Sequence, residues 1–150
     1  MPNPLPITGN VQGLDFSARV AVSSTVVGSP SAAAETVVCQ ITTIPANLPV
    51  VSGVFLSGVL SFTVGTSGTA IRVRIRTGIT AGAGTVIADS GALTGGVAAA
   101  NLLSQDLQGF DTTVTGGNVP GTTSYCLTLQ VTAGSAVSTV SQTNLLALVL

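Results

Sequence analysis

Residues 71–77 read "IRVRIRT", and their strict alternation settles the local backbone. In an extended strand successive side chains point to opposite faces, so Ile71, Val73 and Ile75 share one face and Arg72, Arg74 and Arg76 the other. A helical turn would scatter both sets around its axis. An apolar β-branched row against a charged row is the pattern of a strand with one face on a core.

Working outward from this stretch, period-two or β-branched runs predict strands at Ser17–Val27, Glu35–Ile44, Val51–Val64, Thr69–Thr77, Thr85–Ala88, Leu102–Thr112, Thr122–Thr132 and Val137–Leu150. Between them stand "VGSPS", "PANLP", "GTSGT", "GITAGAG", "SGALTGG", "TGGNVPG" and "TAGSA", built from residues that supply turns. The one helical candidate is Ala98 to Leu103, a turn or two or else a loop crossing one end of the domain. Residues 1–14 form an extended arm whose Pro2, Pro4 and Pro6 favour a polyproline conformation, and residues 15–150 form a single domain. Eight short strands with glycine-rich turns predict an all-β, antiparallel β-sandwich. An eight-stranded jelly roll is the best match. An immunoglobulin-like sandwich is second, because the chain lacks the tryptophan expected on a core strand.

The last run, "TNLLALVL", is almost continuously apolar. Such a strand needs both faces covered, in the middle of a sheet or at a subunit interface. Exposed at an edge, it would template aggregation.

Charge narrows the function. Lys+Arg number 4 and Asp+Glu 5 among 150 residues, or 6% charged, against about 25% in ordinary soluble domains. A surface this short of charge has little electrostatic protection against self-association, so a subunit of a larger assembly is expected. The net charge of −1 leaves no nucleic-acid footprint and no polybasic membrane patch. No secretory signal is expected, since "MPNPLPITGN" has neither a positive nor an apolar region. The apolar stretch Val50 to Leu60 has about half the roughly 20 residues of a membrane-spanning helix.

Catalytic groups are scarce. There is no histidine and no lysine, which removes the commonest general base, the Schiff-base amine and the usual triads. Asp106 and Asp111 are the nearest thing to a carboxylate pair, but a spacing of five places them on opposite faces of a strand. Asp89 and Asp111 stand where aspartate caps turns. No glycine stretch matches a phosphate-binding loop, and no acidic cluster suits calcium. Cys39 and Cys126 read as two buried small hydrophobes or as one inter-strand disulfide; without histidine they cannot form a structural zinc site. Phe16, Phe55, Phe62, Phe110 and Tyr125 read as core. No catalytic residue, cofactor or metal is expected.

The arginine row has two readings. It is a solvated face that discourages edge pairing, or it meets the carboxylates of a neighbouring protein through bidentate forks. Three arginines with no basic arm make nucleic acid the weakest option.

The proline-containing "MPNPLPITG", the Val/Thr strands of "GVLSFTVGTSGTAIRVRIRTG" and the terminal "SQTNLLALVL" resemble capsid decoration (cement) and head-fibre proteins of tailed bacteriophages. That resemblance implies a homotrimer on the outside of a virion, fastened to the major capsid protein by its arm, with no nucleic-acid or membrane partner. The partner-contact candidates are then Pro2, Pro4, Leu5, Pro6, Ile7, Arg72, Arg74 and Arg76. A fibre or tail-associated receptor-binding domain and a small major capsid protein are the rival readings. The second of these lacks the basic arm usual in RNA-virus coats.

Overall fold

The computed structural model describes residues 19–27, 34–44, 48–64, 70–93, 102–131 and 137–150. The arm, Phe16 and most of the helical candidate therefore lie outside the described residues. Leu102 and Leu103, the end of that candidate, are strand.

Among the described residues there are ten strands and no α-helix. They are β1 (Val20–Ser23), β2 (Glu35–Ile41), β3 (Pro49–Val50), β4 (Val54–Val64), β5 (Ile71–Thr77), β6 (Val86–Asp89), β7 (Leu102–Asp111), β8 (Gly117–Asn118), β9 (Tyr125–Val131) and β10 (Val137–Val149). The expected count of eight is therefore corrected to ten. The two unforeseen strands, β3 and β8, have two residues each and form their own small ladder. Two residues cannot display a period, so pattern alone gives them no signal.

All strand pairs are antiparallel. One four-stranded sheet, here sheet A, has the order β1-β10-β4-β7. The other, sheet B, has the order β2-β9-β5-β6. Their facing sides build the core. Sheet B contributes Ile71, Val73, Ile75, Tyr125, Leu127, Leu129 and Val131, all fully buried. Sheet A contributes Val54, Leu56, Leu60, Phe62, Leu145, Ala147 and Val149, also fully buried. Each such aliphatic or aromatic side chain contributes roughly 1.5–3 kcal/mol of hydrophobic stabilisation.

Gly58 interrupts the inner row of β4 because sheet B comes too close for a side chain. A Cβ placed there would lie 3.0 Å from Leu127 Cδ1 and 3.2 Å from Ile75 Cδ1. Before β4 the chain reverses at Gly53, whose φ of 138° is one that L side chains rarely adopt. The turn lets the N–H groups of Val51, Ser52 and Gly53 donate to the Leu150 carbonyl, at 2.9, 3.0 and 3.3 Å.

β10 is an inner strand of sheet A, as its apolar sequence requires. Leu145, Ala147 and Val149 face the core, while Leu146 and Leu148 face outward and are only partly covered. The cross-strand register aligns Val20, Leu148, Phe55 and Phe110 in one row across all four strands of the outer face. Val22, Leu146, Ser57 and Gln108 make the next row. The core assignment of two phenylalanines is thus corrected: Phe55 is partly buried and Phe110 is 40% exposed. On β4 Phe55 alternates with the inner set Val54, Leu56, Leu60 and Phe62, and on β7 Phe110 falls on the side opposite the buried Leu107 and Asp111.

Both cysteines are free and buried. Cys39 opposes Leu127, an inner residue, whereas Cys126 opposes Gln40 and Arg76 on the outer side of sheet B. The two thiols lie on opposite faces and no disulfide joins them.

Candidate functional site

The arginine row stands on the outer side of β5, at the middle of sheet B, and the chain's own acids cover it. Asp89 comes from β6, directly opposite Arg74 in register. Glu35 is the first residue of β2 and opposes Gln130 of β9, which in turn opposes Arg72. Three neighbouring strands therefore bring two carboxylates, an amide and a hydroxyl over three guanidinium groups.

Arg72 grips Asp89 with both arms of its fork, Nε to Oδ1 at 2.8 Å and Nη2 to Oδ2 at 2.7 Å. Arg74 donates from Nε to Asp89 Oδ2 at 3.0 Å, and from Nη1 to Glu35 Oε2 at 3.0 Å and Gln130 Oε1 at 2.8 Å. Arg76 donates from Nε to Glu35 Oε1 at 2.7 Å, from Nη2 to Glu35 Oε2 at 3.0 Å, and from Nη1 to the Gly84 carbonyl at 3.2 Å. The Thr128 hydroxyl completes the set, donating to Glu35 Oε1 at 2.6 Å. Planar forks meeting carboxylates edge-on are the strong form of this interaction. Arg74 is only 8% exposed, so its guanidinium is not a solvated surface charge. A buried charge is tolerated when it is paired and its hydrogen bonds are made, and here no buried side-chain nitrogen or oxygen lacks a partner among the described residues.

The electrostatics follow from this packing. Burial pushes the Glu35 carboxyl up, but hydrogen bonds from Arg76 and Thr128 and the charges of both arginines outweigh it, leaving the group below the ordinary range. The Arg72 hydrogen bond, helped by the Gly91 N–H and Arg74, holds Asp89 down to about 2 against the opposing effect of burial. Cys126, under the same cluster, is pushed up to about 11, chiefly by burial and then by the Glu35 charge. Both carboxylates are therefore fixed as anions with their oxygens occupied. The Cys126 thiol is held in its unreactive form. What the arrangement can do is clamp β2, β5, β6 and β9 into one register.

A pH dependence follows. For a carboxyl depressed on folding, the stabilisation is complete above its unfolded value and disappears as pH falls through the folded one. Thermal melts should thus stay constant from neutral pH to about pH 5 and fall progressively toward about pH 2. A melting temperature unchanged at pH 3 would mean that the cluster adds nothing.

The remaining acids separate as their spacing requires. Asp106 is exposed on the outer face of β7, while Asp111 is 1% exposed at its end. Asp111 accepts hydrogen bonds from the Tyr125 hydroxyl at 2.8 Å and from the N–H and hydroxyl of Thr113 at 2.9 and 2.6 Å. Burial and the Asp111 carboxylate both push the Tyr125 phenol up. Among the described residues no group of three His, Cys, Asp or Glu side chains is placed to hold a metal ion.

Sequence reading found the arginine row but not its partners. Glu35 is the chain's sole glutamate and opens a strand, which is a signal; which strand lies beside it depends on topology. Pro2, Pro4, Leu5, Pro6 and Ile7 are outside the described residues.

No protein-family model matches the chain, and no curated protein matches it. Among solved structures, one titled "Structure of infectious bursal disease virus Gx strain" is similar over 87% of this chain and 30% of that chain, at 20% identity and a TM-score of 0.42. The present chain thus spans less than a third of that one. The functional reading rests on the chain's own topology and surfaces.

Proposed function

We propose that the chain is a non-enzymatic structural protein of a virus particle, a decoration protein that binds the outside of a phage shell as an oligomer and reinforces it. The observation that carries this reading is the winding of the strands. With β3 and β8 set aside, the first strand pairs with the last, the second with the seventh, the third with the sixth and the fourth with the fifth. One long antiparallel ribbon, folded over on itself into two sheets, leaves this nested pairing, and it supports a jelly roll. That architecture serves viral capsids, lectins and cupins.

Fold alone is an analogy, so the surfaces must choose among these uses. A metal-dependent pocket would call on histidine or clustered acids, and the chain has no histidine. Sugar recognition favours aromatic platforms, yet aromatics are 3% of the residues. What remains is a weakly charged sandwich with an apolar outer face, suited to permanent contact with other proteins. In this reading Pro2, Pro4, Leu5, Pro6 and Ile7 anchor the subunit to the shell, and restriction by the prolines lowers the entropy lost on docking. The arginine row stiffens the subunit itself.

Imaging the intact particle should place a two-sheet subunit on the outer surface of the shell. Absence of the chain from purified particles would sink the proposal. A chain lacking residues 1–14 should keep its β-sheet circular dichroism and lose binding to shells stripped of it; normal binding would remove the arm from the account.

A further inference from the structure

We infer that the outer face of sheet A is a contact surface for a second copy of this chain. The inference rests on the oligomeric part of the reading above and identifies the surface that makes the oligomer.

The two outer faces differ in kind. Sheet B spends its charges internally, as the fork contacts of Arg72, Arg74 and Arg76 show. Sheet A carries the aligned row Val20, Leu148, Phe55 and Phe110, with Val22 and Leu146 beside it. Val22 is 57% exposed and Phe110 40%. These six apolar side chains gather at one end of the face. The apolar β10 requires cover on both sides; the core supplies one, and the other is this face.

Size and charge point to a copy of the same chain. Three strands of roughly ten residues or more and the four-residue β1, about 4.8 Å apart, present on the order of 550 Å². Two copies face to face would bury about 1,100 Å², above the roughly 1,000 Å² that a specific interface needs and just below the standard size of about 1,200–2,000 Å². The charged residue in the described rows of the face is Asp106, on the edge strand β7, where a paired copy leaves it at the rim. A lipid surface is a poor occupant, because those rows hold no lysine or arginine for anionic head groups. The other half of the face offers Ser61, Ser104, Gln142 and Asn144, which can hydrogen-bond across to a second copy. Sheet faces stack on one another about 10 Å apart without needing a groove.

Sedimentation equilibrium over a dilution series tests the inference. The wild-type mass should be an even multiple of the chain. Phe110→Arg and Val22→Arg, on opposite edge strands, should each halve it. Val86→Arg, an exposed valine at the edge of sheet B, should leave it unchanged. Circular dichroism checks folding, and Gln108→Arg, exposed on the same face, replaces any variant that fails to fold. A trimer whose mass none of these substitutions alters would overturn the inference and leave the decoration reading standing. A monomer at every concentration would overturn both.

Discussion

Replacing Glu35 with alanine is expected to lower the stability of the fold by about 3 kcal/mol, the scale on which removal of one member of a buried ion pair acts. The Glu35 carboxylate receives both donors of the Arg76 fork, one from Arg74 and the Thr128 hydroxyl. The side chains of Glu35, Arg74 and Arg76 are 9%, 10% and 11% exposed. Alanine would leave Arg76 with a single backbone carbonyl and no neutralising charge. Arg74 would keep Asp89 and Gln130. For a chain of this length 1 kcal/mol corresponds to about 2–4 °C, so the melting temperature should drop by about 6–12 °C. Glu35→Leu combined with Arg76→Met should cost much less, because it removes both charges and keeps the volume. A loss below about 1 kcal/mol in the single variant would place the cluster among exposed ion pairs, which contribute little.

That contrast shows where sequence reading succeeds. The alternation in "IRVRIRT" identifies the strand and its buried side, and Ile71, Val73 and Ile75 are indeed fully buried. It does not say what lies over the arginines, because Glu35 and Asp89 reach them through pairings with β9 and β6. Those pairings are properties of the whole topology. The long strands are legible because each buries one side and so displays the period of two. β7 shows the limit. Its Leu102, Leu103 and Leu107 fall on both faces, and Leu102 is 66% exposed. Apolar character alone therefore misplaces such residues, as it does Phe55 and Phe110. The sequence reports that a strand is apolar on both sides; it does not distinguish a neighbouring sheet from a neighbouring molecule.

Phe62→Ala is expected to cost about 3–5 kcal/mol, more than any substitution on the outer faces. Phe62 is fully buried on the inner side of β4, and its deletion opens a cavity that two hydrogen-bonded sheets cannot collapse to fill. Gly58, four residues earlier on the same side, is the opposite case. Gly58→Val adds volume where a Cβ already meets Leu127 and Ile75 at 3.0 and 3.2 Å. Overpacking of this kind costs about 1–3 kcal/mol. The new methyls do not fill the hole left by Phe62, because four residues along a strand span about 13 Å. The two losses should therefore add to within about 0.5 kcal/mol. With a total near the lower end of the usual 5–15 kcal/mol range of domain stability, the double variant should be largely unfolded at room temperature. Urea titration of the two single variants and circular dichroism of the double variant measure this directly. If the double variant were as stable as Phe62→Ala alone, the sheets could slide to accommodate the valine, and the spacing held by Gly58 would be adjustable rather than fixed by close packing.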